Sequence, residues 1–183
     1  MINDVMADIE QLFQHFGDKT YGEACSQLTH AISSAWHAQQ QQAPQSLVCA
    51  AFLHDIGHFI ADQRQMAGLD QWGHVNHDVI ASDWLQQQGF PASVYLPIRY
   101  HVQAKRYVAR TMEPSTLSKA SFQTLQQQGG PMTDDEALAF ERLSGFAEAI
   151  ELRRYDDLGK PCHTIDVSIT PWLALTKQVL IGN

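Results

Sequence analysis

Two of the chain's nine histidines bracket the run His54-Asp55-Ile56-Gly57-His58, which follows an apolar stretch, Leu47 to Leu53. Burying imidazoles and a carboxylate is costly unless they are paired or bind a metal. On a helix, residues 54 and 58 share one face about a turn apart, with Asp55 offset to the side. Imidazole and carboxylate together suit Zn, Fe, Mn or Mg. A lone histidine of this kind is more often a hydrogen-bonded core residue than a ligand, so a metal site needs donors from elsewhere. His30, His77, His101 and Asp156 supply them, each beside an apolar stripe of its own segment. Helices converging on one point are how bundle metal sites are built. His15, His37 and His163 read as surface or helix-end residues, and His74 as a loop neighbour of His77.

The segments that must position these groups read as helices. Ile2, Val5, Met6, Ile9, Leu12, Phe13 and Phe16 predict an amphipathic helix over 2–16, stopped by Gly17-Asp18. A second helix, from Glu23 to about Gln42, carries His30; the run from Gln39 to Gln42 is its solvent end. A third starts at Pro44 and leads into the His-Asp motif, apolar on all sides as a central helix should be. Between Gly57 and Gly73 no period is visible, and a loop over the site mouth is expected. Helices follow over 76–88, with His77 in the first turn, and over 92–110, with His101 central and Pro97 implying a kink or early break. Another runs from Pro114 to Gln128. Thr133-Asp134-Asp135-Glu136 reads as a capping box opening a helix interrupted at Gly145 and reaching about Asp157. After an irregular stretch, 160–168, a short helix over Pro171 to Leu180 closes the chain. No stretch alternates as a strand must, and there is no internal repeat.

At 183 residues the chain fits a single domain, 1–183, of all-α class. Cys25, Cys49 and Cys162 form no C-x-x-C pair, so neither a disulfide framework nor a zinc ribbon is expected. The acidic N-terminus lacks a signal pattern, and no apolar run approaches the ~20 residues of a membrane span. The expectation is a cytoplasmic protein with no membrane association and no obligate protein partner. A formal net charge of −8 argues against nucleic acid as a partner and requires any anionic substrate to be attracted locally.

The order His30, His54-Asp55, Asp156 resembles the H…HD…D signature of the HD-domain superfamily, whose helical bundles are mostly phosphohydrolases. His77 and His101 narrow the resemblance to members with a dinuclear site. The chain is similar over nearly its whole length to the phosphonate-degrading oxygenases of that superfamily, the glycine-forming 2-amino-1-hydroxyethylphosphonate dioxygenases, distant relatives of myo-inositol oxygenase. The segments that carry the likeness are Tyr21-Gly22-Glu23, Gln27-Leu28-Thr29-His30, Leu53 to His58, His101 to Tyr107, Gln128 to Met132 and Leu152 to Asp156. One position departs: the family's tyrosine two residues before the Gly-Glu pair is Thr20 here, and Tyr21 stands directly before Gly22.

The resemblance implies two iron ions, Fe(II)/Fe(III), with O₂ as cosubstrate. One would take His30, His54, Asp55 and Asp156, and the other His77, His101 and the second oxygen of a bridging Asp55. It further implies Lys105 and Arg153 on the phosphonate of a small organophosphonate substrate with Ser121 nearby, His58 on the substrate or just outside the ligands, Tyr21 at the substrate, and Glu23 on its ammonium. Asp55, His58 and Lys105 are the expected catalytic groups. Spacing agrees independently for the cations, since Lys105 lies four residues after His101 and Arg153 three before Asp156. The implied reaction is O₂-dependent cleavage of a C–P bond to phosphate and glycine or a glycine derivative. Tyr21, Trp72 and Tyr107 offer an aromatic cage for a trimethylammonium group instead of a primary amine. A hydrolase using the same ligands on a nucleotide or other phosphate ester is the alternative, and a non-catalytic metal or ligand sensor is a third reading. A zincin protease fits poorly, because position 55 would need to be Glu.

Overall fold

The computed structural model describes residues 2–112, 117–160 and 168–182. Among them are ten helices and one two-residue ribbon, so the all-α expectation holds. The helices α1 (Ile2–Phe16), α2 (Gln27–Gln40) and α3 (Gln45–Leu53) are followed by a turn and α4 (Ile56–Gln63). Strands β1 (Leu69–Asp70) and β2 (Gly73–His74) pair antiparallel, Leu69 opposite His74. Then come α5 (His77–Gln87), α6 (Ala92–Val108), α7 (Lys119–Gln127), α8 (Asp134–Phe140), α9 (Phe146–Gly159) and α10 (Thr170–Ile181).

The apolar run before the motif becomes the central rod. Every residue of α3 from Leu47 to Leu53 is buried, with α2, α6, α9 and α10 packed around it. Such a helix has no polar face, and its stability comes from burial on all sides. Phe13 of α1 stacks on Phe52 of α3 with centroids 4.7 Å apart, closing the core below. Ala104, Met132, Ala137, Phe140 and Ala149 make a second apolar cluster, which ties α8 to α6 and α9.

Four sequence expectations need correction. The second helix begins at Gln27, not Glu23, because Tyr21 and Gly22 take positive φ (42° and 80°) and the Ser26 side chain caps the helix by accepting from Thr29 N–H. The stretch after Gly57 is not all loop, since α4 runs to Gln63; Ile56 to Ala61 are all buried, so no amphipathic stripe marked it. Of the two outcomes expected at Pro97, the early break does not occur, since α6 runs through it. The helix before the glycine pair starts at Lys119 with Ser118 as its cap; Pro114 lies outside the described residues, as do Cys162 and His163. The Thr133–Glu136 capping box is present with both of its reciprocal bonds.

Candidate metal centre

The chain leaves α3 at Leu53 and enters α4 at Ile56, so His54 and Asp55 occupy a turn and do not share a helical face with His58. The turn aims Asp55 at two histidine pairs. His30 from α2 and His54 bring their Nε2 atoms to 3.2 Å, and Asp156 Oδ1 from α9 lies 3.2 Å from His30. His77 from α5 and His101 from α6 bring theirs to 2.9 Å. Asp55 stands between them, with Oδ2 3.3 Å from His54 and 3.6 Å from His30, and Oδ1 3.3 Å from His77 and 3.7 Å from His101. His30, His54 and Asp156 thus form one group whose donor atoms converge closely enough to hold a metal ion, and Asp55, His77 and His101 another.

The tautomers decide what these contacts are. His54, His77 and His101 each place Nδ1 against the carbonyl three residues back, of Ala51 (2.8 Å), His74 (2.9 Å) and Ile98 (2.7 Å). A neutral ring whose Nδ1–H donates to a carbonyl presents a lone pair at Nε2. His77 and His101 therefore face each other lone pair to lone pair, an arrangement that a cation relieves. Two nitrogens each about 2.1 Å from one ion at right angles lie about 3.0 Å apart, which matches the separations seen. His58 is wired the opposite way: its Nδ1 accepts from His74 N–H at 2.8 Å, so its proton sits on Nε2, 4.0 Å from Asp55 Oδ1. His58 is thus a donor facing the site and not a ligand, and its ring stacks on His77 at 3.9 Å.

Charge follows this wiring. Burial pushes against ionisation of Asp55, but His54 and His77 outweigh it and hold the carboxyl well below the usual range. At Asp156 burial is likewise overcome, by Arg153 and Lys160. Burial alone would lower His54, yet Asp55 and Asp156 raise it to about 9. Burial and the neighbouring His77 keep His58 and His101 neutral, well below the ordinary imidazole value. Metals require ionised carboxylates and neutral imidazoles, so Asp55, Asp156 and His101 stand in donor form, while His54 would give up a proton when an ion binds.

A cleft opens over this centre, lined by all six proposed ligands except the deeper His54, and by Tyr21, Glu23, His58, Lys105, Ser121 and Arg153. Apart from Tyr107, the residues that the sequence places at the site are at or beside it. Lys105 is 5% exposed, and its Nζ donates to Thr124 Oγ1 at 2.9 Å. Arg153 is more committed: it donates to Asp156 Oδ2 at 2.7 Å, and it pairs with Asp157. Glu23 accepts from Ser118 Oγ at 3.0 Å. Tyr21 lays its ring 4.9 Å from His58 and gives its hydroxyl to Asp62 Oδ2 at 3.2 Å. Tyr107 is a correction: its hydroxyl goes to Glu141 and its ring packs on Phe140 and Phe146, so the three-ring cage does not form.

Several wall residues escaped the sequence reading. Lys160 donates to Ser121 Oγ at 2.6 Å and lies 3.3 Å from Asp156 Oδ1; its place four residues after Asp156 repeats the His101–Lys105 spacing and was the available signal. Gln27 is buried in the wall, and its Oε1 has no hydrogen-bond partner among the described residues. Thr124 holds Lys105. His74 is more than a loop neighbour, because its peptide fixes both His58 and His77. Gly73 (φ 89°) is needed beside it, since a Cβ there would strike the His58 ring.

No protein-family model matches the chain. Curated relatives do. An uncharacterized protein of Acanthamoeba polyphaga mimivirus is 38% identical over 156 residues, 83% of this chain and 71% of the relative. The glycine-betaine-forming 1-hydroxy-2-(trimethylamino)ethylphosphonate dioxygenase of Leisingera caerulea is 34% identical over 160 residues, 86% of this chain and 81% of the relative. The hydroxymethylphosphonate dioxygenase of Gimesia maris is 37% identical over 160 residues, 82% and 75%. With likeness of this depth along most of each chain, and a two-group histidine and carboxylate centre beneath a cation-lined cleft, the protein belongs to the phosphonate dioxygenases.

Proposed function

We propose that this chain is an iron-dependent oxygenase that cleaves the C–P bond of a 1-hydroxy-2-(amino)ethylphosphonate, giving phosphate and glycine or an N-substituted glycine. The observation that carries the reading is Asp55, whose two oxygens each face a separate histidine pair. One iron would be held by His30, His54, Asp156 and Asp55, and the other by His77, His101 and Asp55. When bound, a mixed-valence Fe(II)/Fe(III) pair supplies O₂ activation and a Lewis-acidic seat for the substrate oxygens. The overall reaction needs no further reductant. C1 loses its hydrogen and its bond to phosphorus, four electrons pass from C1 to O₂, and both oxygen atoms end in the carboxylate and phosphate products.

The side chains bind and orient. Lys105, Lys160 and Ser121 form a donor face for the phosphonate, and Arg153 stiffens it while holding Asp156 in place. His58 offers its Nε2–H to an oxygen above Asp55. At the other end Glu23 and the Gln27 amide are acceptors for an amine that carries N–H groups; with Tyr107 turned away, Tyr21 and Trp72 alone are too few rings to enclose a quaternary nitrogen. A hydrolase on the same ligands would need no O₂, and the relatives favour the oxygenase.

The iron-loaded protein is expected to release phosphate from 2-amino-1-hydroxyethylphosphonate in air, and Asp55→Ala to lose both bound metal and turnover. Equal phosphate release under strictly anaerobic conditions would refute the oxygenase assignment.

A further inference from the structure

Helix α7 has an unusual relation to the rest of the protein. Among the described elements no helix packs broadly on it, and only Ala120, Ser121 and Leu125 are buried. Among the described residues, side-chain hydrogen bonds tie it to the rest of the chain. Ser118 Oγ donates to Glu23 Oε1 (3.0 Å), Ser121 Oγ accepts from Lys160 Nζ (2.6 Å), Thr124 Oγ1 accepts from Lys105 Nζ (2.9 Å), and Gln127 donates to Asp70 Oδ2 in the ribbon (3.2 Å). These four residues step by three, slightly less than a helical turn, so the stripe winds across the cleft wall from the Glu23 side to the ribbon. The first three grip different residues of the cleft, and Gln127 grips the ribbon beside it.

We propose that α7 is the recognition helix of the site, with Ser118 positioning Glu23 at the amine end of the substrate and Thr124 positioning Lys105 at the phosphonate end. The chemistry supports a division of labour. The Thr124 hydroxyl passes its own proton to the Ala120 carbonyl at 2.9 Å, so its oxygen is a fixed acceptor for Lys105. A neutral partner anchors the ammonium without cancelling its charge, leaving the remaining N–H groups for an anion. Arg153, by contrast, is already paired with two carboxylates. At the amine end, Ser118 caps α7 by accepting from Ser121 N–H (3.0 Å) while giving its proton to Glu23. One acceptor oxygen of Glu23 is thereby taken and the other is oriented. Because both ends hang on one lightly packed helix, a substrate that engages only one end leaves the other grip unaided. α7 thus favours phosphonates that also bear an amine.

This inference rests on the proposed function for its substrates, so its test has a binding arm that needs no turnover. In the iron-loaded protein, Thr124→Val, which keeps the shape and removes the acceptor, is expected to weaken methylphosphonate binding in calorimetry by about tenfold, the loss typical of a hydrogen bond to a charged group. Thr124→Ser is expected to restore it. In turnover, Thr124→Val raises KM for phosphonates about tenfold more than it changes kcat. Ser118→Asp still caps the helix but offers Glu23 only an acceptor. It is expected to erode the kcat/KM preference for 2-amino-1-hydroxyethylphosphonate over hydroxymethylphosphonate by about tenfold. Folded Thr124→Val that binds methylphosphonate as tightly as the parent overturns the positioning of Lys105; an unchanged substrate preference in Ser118→Asp overturns that of Glu23. A parent protein that binds methylphosphonate in a Thr124-dependent way yet turns over no phosphonate refutes the proposed reaction and leaves the anion end of the inference standing.

Discussion

Lys105 brings an exposed chain's charge into a nearly closed wall, and its titration follows from that. Burial, with Arg153 and Lys160 close by, lowers its pKa from 10.5 to about 7. The sign is that of a buried cation. Below pH 7 the free protein carries the charge ready for an anion, and above pH 7 the amine is largely neutral, so a bound phosphonate must draw a proton onto it. Methylphosphonate binding is therefore expected to take up protons at pH 8 and to weaken as pH rises from 7 to 9, at most by about tenfold per unit. Titration calorimetry in two buffers of different ionisation enthalpy measures this, and proton release at pH 8 would contradict it. The roles of Tyr21, Glu23, His58 and Ser121 came from the family resemblance. The candidate ligand histidines and carboxylates could be picked out from the sequence because each lies beside an apolar stripe, and Lys105 and Arg153 because they sit a helical turn from them. His74 could not: it acts through its peptide N–H and C=O, which any residue possesses.

Helix α4 owes its place to Gly57. A Cβ at this position would collide with the His77 carbonyl and press on Ala81 N–H, so the glycine is what lets α4 and α5 approach closely enough for Asp55 to meet His77. Gly57→Ala is expected to cost about 1–3 kcal/mol, as overpacking does. It is also expected to lower metal occupancy preferentially at the His77–His101 pair, read by a thermal melt alongside metal analysis. A variant as stable and as fully loaded as the parent would show that the helices can part without harm. The same glycine explains why α4 was not recognisable from its residues: it interrupts the motif, and with Ile56 to Ala61 wholly buried no stripe remains for periodicity to detect. Amphipathic α1, with one wet face, was readable to its last residue, and so was the Thr133 capping box. The start of α2 was misplaced because a left-handed turn at Tyr21-Gly22 precedes its true cap, Ser26.

Taken as a whole the chain is acidic, net −8, and would stay negative with the two proposed iron ions aboard, while the proposed substrate is an anion. No helix among the described residues is long and apolar enough to cross a membrane. Lys105, Arg153 and Lys160 would attract the proposed phosphonate only at short range, whereas the long-range field would repel it. Raising ionic strength from about 10 to 150 mM shortens the screening length to roughly 8 Å. It is therefore expected to increase kcat/KM modestly, where a basic enzyme would lose it; a fall in kcat/KM over this range would show that the cleft's own field reaches into solvent. A further consequence comes from the three imidazoles anchored to the carbonyls of Ala51, His74 and Ile98. Each is tied to its own chain one turn back, so the donors are in place before any ion arrives. A rigid ready-made nest of nitrogen and carboxylate donors follows the general affinity order in which copper and zinc outrank ferrous iron. Identity of the bound metal would then be settled outside the protein, by which ion its surroundings supply in excess, and the proposed iron-dependent activity would in a cell become a reading of iron supply.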